Sequence, residues 1–215
     1  MMPNHHPPAE WLLGHASGTL TEAEDLLLAA HCTLCPDCRA GVRAQEEAAG
    51  AALADLAPAP VGAGALDAIL GRLGEQEAAP TPPAPSSGTR VLPQPVRDYI
   101  GAFEALSWGF VMPGIRQVVL PVSHEQMPVR LFHLAPGLDI PLHTHQGLER
   151  TLVLAGSYTD QDGTFARGDV GIQDGSADHR QRIDDGEVCI ALVVADGPLV
   201  PRTAAGRVIS WLSGA

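Results

Sequence analysis

The feature that most constrains this chain is a proline-rich stretch, AAPTPPAPSSGTRVLPQP, between Glu77 and Val96, which holds six of the 19 prolines. Proline fixes φ and removes a backbone donor, so neither a helix interior nor a central strand runs comfortably through it. Such a stretch reads as a semi-extended spacer of about 3 Å per residue. Hydrophobic patterning changes across it: upstream it follows the helical period, downstream it breaks into short runs of Val, Ile and Leu. The expected organisation is a helical unit over residues 1–76, a linker over 77–95 and a β-rich unit over 96–215.

In the first unit, Pro8 to Gly14 carries Trp11, Leu12 and Leu13 and predicts a short helix ended by the Ser17-Gly18 turn. Thr21 followed by Glu24 makes a capping-box pattern ahead of Leu26, Leu27 and Leu28, predicting a second helix to about Cys32. A third, rich in Ala and Glu, is expected from near Cys35 to Leu56, where Pro58 and Pro60 break it before a last amphipathic turn through Leu66, Ile69, Leu70 and Leu73. The Leu/Ala core is thin for a domain of about 75 residues, so that last apolar stripe calls for a partner. In the second unit, RQVVLPV, PVRLFHL, RTLVLAGSYT, DVGIQ and EVCIALVVA read as strands punctuated by turns such as Pro136-Gly137 and Asp162-Gly163. Short strands without intervening helices imply a sandwich or barrel, so the chain as a whole is α + β in two domains.

The chain carries 13 basic residues, all Arg, against 25 acidic ones, for a formal charge of −12. No basic stripe exists to displace counterions from phosphate, which argues against direct DNA binding. Residues 1–75 hold 3 Arg against 10 acids, so the helical unit is the more acidic and suits a basic protein partner. Neither a spanning apolar run nor a basic-then-apolar leader is present, and the expected location is cytoplasmic, with no membrane association.

Three of the four cysteines, Cys32, Cys35 and Cys38, fall within seven residues, while Cys189 stands alone in an apolar strand, where a buried inert thiol is expected. Clustering of this kind points to metal or redox chemistry rather than a disulfide scaffold. His31-x3-Cys35-x2-Cys38 is expected to place its ligands on one helical face and to need a fourth donor for tetrahedral Zn²⁺. His6 is favoured for that place, with His5 the close alternative; Cys32 would point to another side of the helix. An iron–sulfur site lacks its fourth cysteine, and haem attachment would need a histidine after the cysteines.

A small helical unit with an upstream histidine and this HxxxCxxC run resembles the zinc-binding anti-sigma domain of bacterial anti-sigma factors. The resemblance implies that the unit grips an extracytoplasmic-function (ECF) sigma factor and hides the surfaces that engage RNA polymerase.

A second constellation runs from Gly137 to Gly156, with His143, His145 and Glu149 between them. On a strand, His143 and His145 face the same side. The pattern GxxxxxHxHxxxExxxxxxG resembles the first cupin motif at every position. Phe165-x2-Gly168-Asp169 opens a degenerate second motif, and His179 supplies its expected last ligand although the usual Pro-x-Gly is missing. Three imidazoles and a carboxylate suit Zn, Fe, Mn or Ni. His133 is expected to be a packed core or rim side chain, His124 to be solvated, and Trp108 and Trp211 to cover barrel edges.

Together the helical unit, spacer and jelly-roll β-barrel resemble the ChrR family of anti-sigma factors. The resemblance implies a 1:1 heterodimer with an ECF sigma factor and a reactive-oxygen signal of the singlet-oxygen type that requires the cupin unit. The competing reading is a dioxygenase-like cupin metalloenzyme, whose open metal positions could bind O₂.

Overall fold

The computed structural model describes residues 2–73, 92–101, 103–123, 127–176, 178–197 and 199–202. Most of the expected spacer, His124 and Trp211 lie outside the described residues.

Four helices precede the spacer: α1 (Ala9–Ser17), α2 (Glu22–Leu34), α3 (Pro36–Ala54) and α4 (Ala65–Arg72). The capping box forms as the sequence predicts, with the Thr21 side chain accepting from the Glu24 N–H and Glu24 reaching back to the Thr21 N–H. The second helix runs to Leu34 rather than Cys32. It stops at Cys35, held extended at φ −113° and ψ 104°, because the ring of Pro36 excludes the helical region for the residue before it. Pro36 then opens α3, where a missing N–H costs nothing.

One element was not foreseen. Helix α5 (Gln94–Ile100) begins inside the expected linker, with a proline in its first turn, and Leu92 just ahead of it is 2% exposed. The prolines that read as breakers are here helix starters.

Beyond α5, the strands are β1 (Gly109–Met112), β2 (Ile115–Val119), β3 (Val129–Leu134), β4 (Asp139–His145), β5 (Glu149–Ala155), β6 (Ser157–Asp160), β7 (Gly163–Ala166), β8 (Val170–Gln173), β9 (His179–Ile183), β10 (Cys189–Ala195) and β11 (Leu199–Pro201). They form two antiparallel sheets ordered β1-β2-β3-β10-β5-β8 and β11-β4-β9-β6-β7. This is the expected jelly-roll sandwich.

Strand alternation divides the apolar side chains of the larger sheet into two cores. Val153, Ala191, Val193 and Cys189 turn inward to meet Tyr158, Phe165 and Ile183 of the facing sheet. Leu131, Leu152, Leu154, Leu192 and Val194 turn outward, where they pack with Ala23, Leu26, Leu27 and Ala30 of α2 and with Leu92 and Val96. The helical unit therefore lies on the barrel and shares a core with it. Arg150, on the same outward face as Leu152 and Leu154, is buried between Glu24, Asp196 and the ring of Trp11.

Helix α4 behaves differently. None of its residues is buried, and Leu66, Ile69, Leu70 and Leu73 are all more than half exposed.

Candidate metal centres

The first cluster forms at the corner between α2 and α3. His31 occupies the last turn of α2, Cys35 caps α3, and Cys38 lies in its first turn. The expectation of one continuous helical face is thus corrected: Pro36 breaks the helix, and the corner rather than helical periodicity brings the residues together. Cys35 Sγ accepts from the Cys38 N–H at 3.4 Å, at a helix N-terminus that favours negative charge.

His6 comes from the segment ahead of α1. Its Nδ1 is 3.4 Å from both Cys35 Sγ and Cys38 Sγ. Tetrahedral bonds of about 2.3 Å to sulfur and 2.0 Å to nitrogen would separate S and N by about 3.5 Å. One donor atom from each of His6, His31, Cys35 and Cys38 lies within 4.8 Å of the others. His31 is fully buried, donating Nδ1–H to the Gly168 carbonyl at 2.8 Å, which leaves Nε2 without a hydrogen-bond partner. An orphaned buried imidazole nitrogen beside two thiols fits a metal, and the bond to the Gly168 carbonyl fixes the tautomer that would bind it.

The alternatives sit elsewhere. His5 stacks on Phe165 with ring centroids 4.1 Å apart, and Cys32 packs with Leu28 and Val42. Burial lowers the pKa of His31 and pushes the Cys38 thiol up to about 12, raised further by its hydrogen bond to Cys35. Both residues are thus neutral near pH 7 without a metal; ligation takes the thiolate and would release the Cys38 proton.

The second cluster is inside the barrel. The ladder pairs His143 on β4 with His179 on β9, after a register shift between Ile140 and His143. His145 follows two residues on, and its Nε2 lies 2.9 Å from His179 Nε2. Donor atoms of the three imidazoles fall within 4.8 Å of one another. His143 Nδ1 is anchored on the Pro141 carbonyl at 2.8 Å, freeing its Nε2. Glu149, at the start of β5, stands beside this group with Oε2 3.3 Å from His145 Nδ1.

Burial lowers His145 to about 3, helped by His143 and His179, and lowers His179 to about 4. These imidazoles are therefore neutral near pH 7, the form that ligates metal. Burial raises the Glu149 carboxyl to about 7, opposed by Arg130. His133 meets Trp108 edge-on with centroids 5.5 Å apart, as a rim residue. Cys189 is fully buried, and its thiol is pushed up to about 12.

The ChrR cupin-like domain matches residues 96–199. The anti-sigma-E factor ChrR of Cereibacter sphaeroides is 36% identical over 196 residues, which is 91% of each chain. The chain belongs to the ChrR family of anti-sigma factors. Its fold also matches the crystal structure of Rhodobacter sphaeroides SigE in complex with the anti-sigma ChrR, with a TM-score of 0.76 and 34% identity, over 90% of this chain and 100% of that chain. Family membership decides against the metalloenzyme reading, since the full-length relatives are regulators. Among the described residues, no helix is long and apolar enough to cross a membrane.

Sequence reasoning missed the residues behind the ligands. Gly168 and Asp169 stood out only as the start of a degenerate motif, yet Gly168 bonds His31 of the first cluster and Asp169 holds the backbone just ahead of His6. Arg150 was not singled out; a lone arginine in RTLVLA was the available signal.

Proposed function

We propose that this ChrR-family chain sequesters an ECF sigma factor in a 1:1 cytoplasmic complex through its helical unit, and releases it on a reactive-oxygen signal that requires the barrel. The observation that carries the reading is the similarity to the anti-sigma subunit of the SigE–ChrR complex over 90% of this chain. The α4 stripe supports it, because Leu66, Ile69, Leu70 and Leu73 form an unburied apolar face on the more acidic unit. In this reading His6, His31, Cys35 and Cys38 hold Zn²⁺, and His143, His145, Glu149 and His179 hold a divalent ion, Zn, Fe, Mn or Ni. Zinc at the first cluster would supply a tetrahedral tie between the N-terminal segment and the α2–α3 corner.

The grip and the switch are tested separately. Ile69→Asp with Leu70→Asp in the full chain should abolish capture of a sigma factor from the native cell while leaving metal content unchanged. Glu149→Ala or His179→Ala should keep sigma-dependent transcription silent without stress yet fail to raise it under singlet oxygen. Undiminished capture by the α4 variant would refute the grip; a normal stress response from a metal-free barrel would refute the switch.

A further inference from the structure

All four donors of the N-terminal cluster come from the helical unit, but two of them lean on the barrel. Cys35 and Cys38 are placed by the α2–α3 corner, whereas His31 on α2 and the segment leading to His6 are also held by the turn between β7 and β8. The Gly168 carbonyl in that turn accepts the His31 Nδ1–H at 2.8 Å. Next to it, Asp169 is 1% exposed, and its Oδ1 accepts the backbone N–H groups of Asn4 at 2.5 Å and His5 at 2.9 Å. Asp169 Oδ2 accepts the Ala166 N–H at 2.8 Å and lies 3.6 Å from His5 Nδ1. The Val170 N–H then donates to the His5 carbonyl at 3.1 Å, so the segment ahead of α1 is bound to the edge strand β8.

Among the described residues, Asn4 and His5 make their backbone hydrogen bonds to this turn and strand alone. His6 is the next residue along. The turn also needs its glycine: Gly168 has φ +98°, and a Cβ there would come 2.7 Å from Pro3 Cγ and 3.6 Å from Leu34 Cβ. A side chain would therefore push against Pro3 in the segment carrying His6, while meeting Leu34 on the helix carrying His31 at ordinary contact distance.

We propose that Gly168 and Asp169 are positioning residues of the N-terminal metal site, through which docking of the barrel controls metal retention by His6, His31, Cys35 and Cys38. This rests on the reading of those four residues as a metal site. With the turn docked, both imidazoles are presented to the thiols; with it displaced, the thiols lose two placed partners. Because coupling is reciprocal, an ion at the site also holds the turn in place. A change inside the barrel that shifts the turn thereby reaches the helical unit without passing through the spacer, provided it favours one docking state over the other.

The test uses the full chain with Co²⁺ as probe, since thiolate-to-cobalt charge-transfer absorption reports a cysteine-ligated site and not the barrel histidines. Asp169→Ala and Gly168→Ala should each weaken binding at that band by about 10–100-fold, the range for losing a partner that orients a ligand, with the barrel still folded and its metal content unchanged. Asp169→Asn, which keeps one acceptor oxygen, should fall between them and the unsubstituted protein. Unchanged affinity in both the Ala variants overturns the proposal. A chain with no charge-transfer band in its unsubstituted form overturns instead the metal-site reading beneath it.

Hydrogen exchange supplies a measurement that does not depend on variants of the turn. The Val170 amide should exchange more slowly in the fully metal-loaded protein than in Cys35→Ser with its barrel metal retained. Equal exchange in the two would sever the link.

Discussion

In the barrel, His143 and His179 face one another across the β4–β9 ladder and His145 follows two residues on, so hydrogen-bonded strands hold all three imidazoles in place. At the helical end, the four donors come from the segment ahead of α1, the last turn of α2 and the α2–α3 corner, and His6 is exposed. The barrel cluster is a product of its fold. The helical cluster is a condition of its fold, because little apolar burial besides Leu28, Cys32, Val42 and the flank of α1 holds that corner together. Placed ligands and assembled ligands should therefore respond differently to loss of the ion.

The largest expected effect follows directly. Cys38→Ser should remove most of a metal-linked folding energy of about 10 kcal/mol or more from the helical corner while the barrel stays folded. Circular dichroism and hydrogen exchange on the full chain check this; a corner as protected as before would erase the contrast between the clusters. Arg150→Ala comes next, since it leaves Glu24 facing the barrel without its cation and Asp196 with the Leu148 N–H but no cation. A loss of about 3–5 kcal/mol in denaturant unfolding is expected, the range for breaking a buried pair. A cost under about 1 kcal/mol would mean that the helical unit does not depend on the barrel for its seat.

A smaller effect separates the clusters by pH. In the metal-free chain, burial lowers the pKa of His143, His145 and His179 below the ordinary 6.5, so the unfolded chain binds more protons as pH falls through that value. Their contribution is present above about 6.5 and is lost on acidification. Glu149, raised to about 7, acts in the opposite sense between about 4.5 and 7, but it is one group against three. The melting temperature of the metal-free barrel should be lower at pH 5 than at pH 7; a flat or inverted profile would show that the three imidazoles are not held neutral. The smallest effect is expected at Arg43–Glu47, an exposed pair on α3 where Arg43→Ala should change stability by no more than about 0.5 kcal/mol.

What the sequence disclosed was local. The Thr21–Glu24 box, the HxxxCxxC run and the alternation through His143 and His145 each act over a few residues, and each was readable as such. Pro36 was equally readable as a helix break, since the residue before a proline avoids the helical region, but the ligand spacing suggested a single face. Pro93 and Pro95 misled in the other direction, because a breaker inside a helix is a starter at its first turn. The hold of Gly168 and Asp169 on His31 and His5 spans more than 130 residues and had no local signature. Neither did the packing of α2 against the outward leucines of β5 and β10, which needs the sheet order before it can be inferred.

The bare face of α4 has a consequence for how much of this protein a cell can carry. Leu53, Leu56 and Val61, like the α4 leucines and Ile69, are all more than half exposed. Exposed apolar side chains gathered along one helix favour self-association in water. Molecules synthesised in excess of their sigma partner would expose those side chains to one another, whereas in the proposed complex molecules made in step with it would not. The ratio at which the two chains are produced would then bear on whether this protein stays in solution, and supply would be a physical constraint as well as a regulatory one.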